Sequence, residues 1–282
     1  MAEASGITLV EEPLNPWKAT STGVGEMILD AVQKGCRKFI IGIGGSATTE
    51  GGIGMLSALG YDFMDENGDR LSPVFDSLEK VVQIKNNRVP EVLKDCHFQI
   101  ACDVTNPLCG ARGCVYVFGA QKGVKEEEKE SMDRAMQSYA ACLEKFTGKK
   151  LSEIPGTGAA GGLGFAFLWG LPNVELKPGI DIVLEAVGLT NELKDADVVV
   201  TGEGCLDFQT AMGKVPVGVA KTAKNYNCKV IAFAGSVTEE AKNCNEKGID
   251  AFFSILPGVC SLDEAMDTET AQKNMRNAAE QL

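Results

Sequence analysis

The sequence predicts an α/β protein built on parallel sheet, and three observations lead there. Residues 39–43 form an apolar run that enters a glycine-rich loop, and the loop opens into a helical segment at 53–59. A second glycine loop, residues 155–164, has a similar design. From Pro178 onward, β-rich segments at 197–200, 229–234 and 251–256 alternate with helical sequence. That βα rhythm belongs to parallel sheets, whose ligands bind outside the carboxyl ends of the strands.

The elements follow in order. Ser21 or Thr22 is placed to cap a helix carrying Met27, Ile28, Ala31 and Val32, closed by Gly35. Phe39, Ile40, Ile41 and Ile43 predict a short buried strand, and Gly60 ends the helix that follows the glycine loop. Tyr61 to Met64 with the Asn67-Gly68 turn predicts a hairpin. The next strand, 98–104, ends in Asp103 and runs into a loop marked by Pro107, Gly110 and Gly113. A long charged helix is expected over 125–146, with Met132, Met136 and Tyr139 or Ala140 on its apolar side. Residues 165–171 read as an apolar turn, and Pro178-Gly179 starts a helix containing Asp181, Ile182, Leu184 and Val187. The motifs TGEG (201–204), AGS (234–236) and LPG (256–258) should cluster at strand ends.

Composition narrows the function. A chain of 282 residues has room for two domains, and 44% hydrophobic content is ordinary for a globular protein. A formal net charge of −12 argues against nucleic acid or anionic membrane as partners, since both select cationic surfaces. No apolar stretch approaches a membrane span and the opening residues lack a signal pattern, so a cytoplasmic protein is expected. The ten cysteines are scattered without a C-x-x-C pair, which predicts buried thiols in a reducing compartment. His97 is the one histidine, so a multi-histidine metal centre is excluded and proton chemistry falls to carboxylates.

Chemistry concentrates in a few places. Gly44, Gly45, Gly51 and Gly52 let backbone N–H groups approach a ligand, while Ser46, Thr48 and Thr49 add hydroxyl donors. The N-terminus of the helix beginning at Ile53 would face the loop and favour a phosphate or carboxylate; the alternative is a purely structural glycine turn. Acids stand at strand ends: Asp103, then Glu203 and Asp207, with Lys214 placed to neutralise a phosphate and Gln209 and Thr210 to orient it. Each has a structural alternative, Asp103 as a turn former and Asp207 with Lys214 as a surface ion pair. Arg112 either clamps a carboxylate or caps its own loop. No Walker A pattern is present. Residues 42–47 do satisfy the dinucleotide pattern G-x-G-x-x-[GA], with Asp62 about 20 residues beyond Gly42, so an NAD-dependent dehydrogenase is the second reading.

Seven segments, IGIGGSATTEGGIGMLSALG, ACDVTNPLCGARG, VFGAQKG, PGTGAAGGLG, PGIDIVLEAVGL, VTGEGCLDFQTAMGKVPVGVA and FSILPG, together resemble the bacterial class I glycerate kinases. The resemblance implies ATP-dependent phosphorylation of D-glycerate with Mg²⁺, on two α/β domains with the active site in the interdomain cleft. It implies a glycine-loop α/β domain at 1–175 and a Rossmann-like domain with a parallel sheet at 176–282. The family's G-G-S-A-T motif falls on Gly44, Gly45, Ser46, Ala47 and Thr48, its strand-end acid on Asp103, and its T-G-E-G-x-L-D-x-Q-T motif on Thr201, Gly202, Glu203, Asp207, Gln209 and Thr210. In this reading Asp207 is the base with Asp103 in reserve, Lys214 assists, Glu203 and Asp207 hold Mg²⁺, and Asn106 and Arg112 join the backbone N–H groups in binding substrate. Thr49 and Glu50 depart from the family's Asn and Asp, and Cys205 and Phe208 stand where Arg and Gly are common. The family's opening A-P-D-S-F-K-G unit has no counterpart, so the chain looks N-terminally truncated and an inactive anion-binding remnant is a further alternative. A homo-oligomer stays open.

Overall fold

A computed structural model describes residues 1–282, which divide into two compact units, Met1–Gly179 and Ile180–Leu282. The first unit opens with α1 (Ala2–Ser5) and α2 (Thr22–Gln33), followed by β1 (Lys38–Gly42), α3 (Ile53–Ala58), β2 (Asp62–Met64), β3 (Gln83–Lys85) and β4 (His97–Ala101). It continues through α4 (Cys114–Phe118), α5 (Lys129–Thr147), α6 (Ala159–Gly170) and β5 (Val174–Lys177). Its parallel sheet has the order β1-β4-β5, with Ile41 opposite Ile100 and Phe98 opposite Val174.

β1 is not the buried strand expected. Side chains alternate across a sheet, and only one face of this edge strand is covered. Phe39 and Ile41 are half-buried, with the Phe39 ring stacked 4.8 Å from Phe98, while Ile40 stays 60% exposed. Ile43, just beyond the strand, is buried.

α2 forms with Ser21 at its N-cap position, yet Ser21 makes no side-chain capping bond because its hydroxyl is committed elsewhere. Its inner face is Val24, Ile28 and Val32; Met27 is exposed. The expected hairpin exists only as a bridge between Met64 and Arg70, and the strand partner of β2 is β3, antiparallel. α5 buries Met132, Met136, Tyr139, Ala140 and Leu143, and Gly148 closes it at φ +73°. Residues 165–170, read as a turn, are helical: Phe165, Ala166, Phe167 and Trp169 are all buried, as suits a helix that is apolar on every side. Enclosing Phe165 and Phe167 stabilises the unit by about 1.5–3 kcal/mol each.

The two glycine loops explain each other. After Ala159, α6 carries three left-handed residues, Ala160, Gly161 and Gly162, before its regular helix. The Gly161 carbonyl accepts a hydrogen bond from Gly51 N–H at 2.9 Å, and a Cβ on Gly161 would lie 2.1 Å from the Thr48 carbonyl oxygen. Only glycine permits that approach at φ +67°.

The second unit carries α7 (Gly179–Ala186, its first residue belonging to the first unit), α8 (Leu189–Glu192), β6 (Val198–Leu206), α9 (Phe208–Ala211), α10 (Val215–Lys224), β7 (Lys229–Val237), β8 (Ala251–Ser254), α11 (Leu262–Met266) and α12 (Thr268–Ala279). Its sheet, β6-β7-β8, is parallel throughout. β6 runs beyond the expected 197–200 because β7 continues beside it, pairing Glu203 with Ala234 and Cys205 with Ser236. TGEG therefore lies within a strand, next to AGS, rather than beyond the strand's end. Val217, Ala220 and Ala223 of α10 and Val230 and Ala232 of β7 share this unit's core.

All ten cysteines are free; Cys96, Cys102, Cys114, Cys228 and Cys244 are buried, while Cys36 and Cys260 are exposed. No helix is long and apolar enough to cross a membrane.

Replacing Gly161 with alanine forces a methyl group into the Thr48 carbonyl at a left-handed φ, so the first unit should lose about 3 kcal/mol or more. Urea denaturation followed by tryptophan fluorescence reads this unit directly, since Trp17 and Trp169 both lie in it.

Candidate active site

A cavity of about 330 Å³ lies in the first unit at the carboxyl ends of the adjacent parallel strands β1 and β4. Gly44, Gly45 and Ser46 form one wall and Asp103 the opposite strand end; Lys122 reaches in from the turn after α4, and Ala160 from the start of α6. Gly44 has no neighbour within 4 Å of where a Cβ would stand, leaving its backbone open. Gly45, at φ +71°, is held by Ile7, which also lines the cavity and whose N–H donates to the Gly45 carbonyl at 2.9 Å.

Lys122 is the charged cavity residue that the sequence did not single out. It is 2% exposed, and its Nζ donates to Ser46 Oγ at 2.7 Å and to the Thr48 carbonyl at 2.6 Å. Burial pulls its pKa down to about 8, against weaker opposition from Cys114 and Glu50. The available signal was a lysine wedged between Gly119 and Gly123 in VFGAQKG; nothing local says that such a lysine is buried.

The helix N-terminus expected to hold a ligand's anion is already filled by the chain itself. Glu50 is fully buried and accepts from the N–H groups of Ser21 and Gly52, both at 2.7 Å, from Gly54 N–H at 3.3 Å, and from the Ser21 hydroxyl. Ser21 Oγ in turn accepts from Met55 N–H at 2.9 Å. Burial raises the Glu50 pKa and these donors lower it, with burial the stronger. Gly51 and Gly52 thus serve internal packing: a Cβ on Gly52 would sit 2.2 Å from Ala166 Cβ.

The hydroxyls of Thr48 and Thr49, expected as ligand donors, are buried without partners, and Ala47 is buried too. Of the five motif residues 44–48, Gly44, Gly45 and Ser46 line the cavity; Thr48 contributes its carbonyl to Lys122. Asp103 lines it as well and accepts from Gly179 N–H at 2.8 Å. Asn106 braces its own loop, donating from Nδ2 to the Arg112 carbonyl at 2.8 Å and accepting at its backbone carbonyl from Gly156 and Gly158. Arg112 is exposed and outside the cavity wall, which removes the geometry for a clamp there.

The second unit holds a separate cluster. Asp207 caps α9, accepting from Thr210 N–H at 3.0 Å, while Lys214 Nζ lies 3.5 Å from Asp207 Oδ1. The Thr210 hydroxyl donates to Glu203 Oε1. Hydrogen bonding from Thr210 N–H holds the Asp207 carboxyl below its usual range, with Lys214 adding to it. Thr201 is half-buried in β6, and Gln209 is exposed on α9. Gly202 has a structural reason, for a Cβ would stand 2.4 Å from the Phe233 carbonyl oxygen.

No group of three or more acidic, histidine or cysteine side chains is arranged to hold a metal. Glu203 and Asp207 nonetheless converge on one threonine as two hard oxygen donors. That donor set fits Mg²⁺, which characteristically takes one or two carboxylates plus water and phosphate rather than an all-protein cage.

The dinucleotide reading fails. The helix after the glycine loop starts only at Ile53, whereas a dinucleotide fingerprint opens directly into its helix. Asp62, the expected ribose acid, is engaged by Arg88 at 2.6 Å and Arg70 at 2.8 Å.

Two units, each built on a parallel three-stranded sheet with helices, define a mixed α/β protein, and the family that matches it is one of kinases. More particularly, the chain belongs to the glycerate kinase family, whose model matches residues 1–282. It is 42% identical to a glycerate kinase of Bacillus subtilis (strain 168) over 99% of this chain and 74% of that one. It is 44% identical to the glycerate 2-kinase of Escherichia coli (strain K12) over 94% of this chain and 70% of the relative. A crystal structure described as glycerate kinase 2 from Salmonella typhimurium LT2 superposes with a TM-score of 0.83 at 40% identity, covering 100% of this chain and 75% of that one.

Removing the Glu50 carboxylate strands three backbone N–H groups, so Glu50→Ala should cost the first unit about 3–5 kcal/mol and Glu50→Gln roughly half as much, measured by urea denaturation. Because the folded pKa of Glu50 is raised, its contribution is greatest at low pH and declines as pH rises through that pKa. The stability gap between wild type and Glu50→Gln should accordingly narrow with rising pH.

Proposed function

We propose that this chain transfers the γ-phosphoryl group of ATP to a hydroxyl of D-glycerate, with Mg²⁺ on the nucleotide. The kinship with glycerate kinases at 42–44% identity over 94–99% of the chain carries this reading. The name of the Escherichia coli relative favours the 2-hydroxyl as the acceptor. A cavity of about 330 Å³ with one ammonium and one carboxylate on its walls has room for a three-carbon hydroxy acid.

Roles divide by unit. In the first, Gly44, Gly45 and Ser46 offer backbone and hydroxyl contacts to the acceptor, and Asp103 takes the hydroxyl proton. One Asp103 oxygen is fixed by Gly179 N–H, which orients the carboxylate while leaving the other free to accept. This exchanges the roles expected for the two aspartates. Asp207 is held ionised by Thr210, and a carboxylate of depressed proton affinity is the poorer base. It serves better with Glu203 in holding Mg²⁺. When bound, the ion neutralises charge on the phosphate oxygens. Lys214 and Gln209 complete the phosphate-facing polar groups of the second unit, beside Thr201 and Thr210.

A coupled assay should register ADP release from MgATP that depends on D-glycerate, with phosphorus NMR giving the position of the product phosphate. Absence of glycerate-dependent release at saturating MgATP rules the reading out. Asp103→Asn should lower kcat by about 10²–10⁴-fold in single-turnover measurements. Asp207→Asn should chiefly raise the Mg²⁺ concentration required; an unchanged Mg²⁺ dependence would remove Asp207 from the metal site.

A further inference from the structure

Lys122 has no counter-charge in contact. Its ammonium is buried, yet both hydrogen-bond partners found for it, Ser46 Oγ and the Thr48 carbonyl, are neutral, and no ion pair involves it. An ammonium carries three N–H donors, so one remains unspent. A buried cation with no counter-charge in contact is costly, the more distant Glu50 offsets only part of that cost, and such positions persist where something else supplies the anion. The space beside Lys122 is the cavity, and Lys122 is the one cation on its wall, as Asp103 is the one acid.

Charge decides which anion fits. A triphosphate would bring several negative charges to a single ammonium and set them against Asp103. A short hydroxy acid brings one carboxylate to match the ammonium and one hydroxyl to match the aspartate. We propose that Lys122 binds the carboxylate of the acceptor, making it the residue that selects a hydroxy acid over an uncharged polyol. This rests on the glycerate kinase reading, and it moves to Lys122 the clamp that sequence reasoning placed on Arg112. Ser46 and the Thr48 carbonyl hold the ammonium in position, which explains why a loop with so short a side chain as serine can govern an anion.

The inference is tested by comparing wild type, Lys122→Met and Lys122→Arg with D-glycerate and with its uncharged amide, glyceramide. Lys122→Met should raise the KM for D-glycerate about 100-fold, leave the KM for MgATP within about twofold, and abolish the preference for glycerate over glyceramide. Lys122→Arg should retain part of that preference. In wild type the KM for D-glycerate should climb above about pH 8 as the ammonium loses its proton, and the climb should be absent in Lys122→Arg. The groups facing Lys122, the Cys114 thiol of α4, the Glu50 carboxylate and Asp103 across the cavity, do not reproduce that signature, since guanidinium substitution leaves them in place. A glycerate KM that Lys122→Met leaves unchanged, a rise confined to the MgATP KM, or an intact glycerate preference would each overturn the assignment. If Lys122→Met fails to fold by tryptophan fluorescence, the decision passes to calorimetric titration of wild type with D-glycerate at pH 7 and pH 9.5 without nucleotide. Binding that weakens at least tenfold supports the assignment, and equal affinity refutes it. Wild type that binds D-glycerate in this pH-dependent way but releases no ADP would sink the kinase reading while upholding Lys122.

Discussion

The glycine loop of the first unit is organised around a carboxylate that water does not reach. Glu50 gathers N–H groups from the start of α2, from the loop itself and from the first turn of α3, and Ser21 links the same carboxylate onward to Met55. Each donor would otherwise be an orphan of a helix end or a tight turn, and a single side chain satisfies them together. Beside it, the Gly51 N–H bonds the Gly161 carbonyl and so docks the start of α6 on the same loop. Glycine here answers to internal contact: Gly51, Gly52, Gly161 and Gly162 are packed against side chains and backbone, while Gly44 alone of the motif's glycines borders open space on the ligand side.

Because the Glu50 carboxyl group already occupies the start of α3, any affinity of the site for an external anion has to come from elsewhere. A six-residue helix also has little dipole to offer. The source is a buried lysine delivered from a different part of the chain, held by one hydroxyl and one carbonyl. The division is physically sensible: a helix terminus saturated by its own side chain is rigid, and a single ammonium beside it is a localised charge that distinguishes a carboxylate from a hydroxyl. In the second unit the same economy appears in another form, with Thr210 using its N–H on Asp207 and its hydroxyl on Glu203, so that two carboxylates are oriented by one residue.

Much of the fold was legible locally. The βα alternation after Pro178, the apolar stripe of α5 and the glycine that closes it all follow from side-chain period and backbone freedom, which neighbours in sequence express. The errors have a common cause. Residues 165–170 read as a turn because an all-apolar helix has no periodicity to detect, and β6 read short because its extension depends on β7 lying alongside. Ile40 read as buried because composition cannot report that one face of an edge strand is left open. Around the cavity, Asp103 and the Gly44-Gly45-Ser46 wall stand out by residue type at strand ends, whereas the burial of the Thr48 and Thr49 hydroxyls and the position of Arg112 outside the cavity wall depend on segments remote in sequence.

By itself, then, the sequence determined the class of architecture, the family and the kinds of group available: glycines where backbone must approach, acids where strands end, and almost no histidine. Tertiary structure alone decided which charged side chain is enclosed by the protein's own donors and which borders a cavity. Glu50 and Lys122 are ordinary charged residues in the chain, and only burial, together with donors and acceptors drawn from distant segments, turns one into a structural pin and the other into an unsatisfied cation facing a cavity. Desolvation is a property of what surrounds a group in space, and sequence records only what adjoins it along the chain.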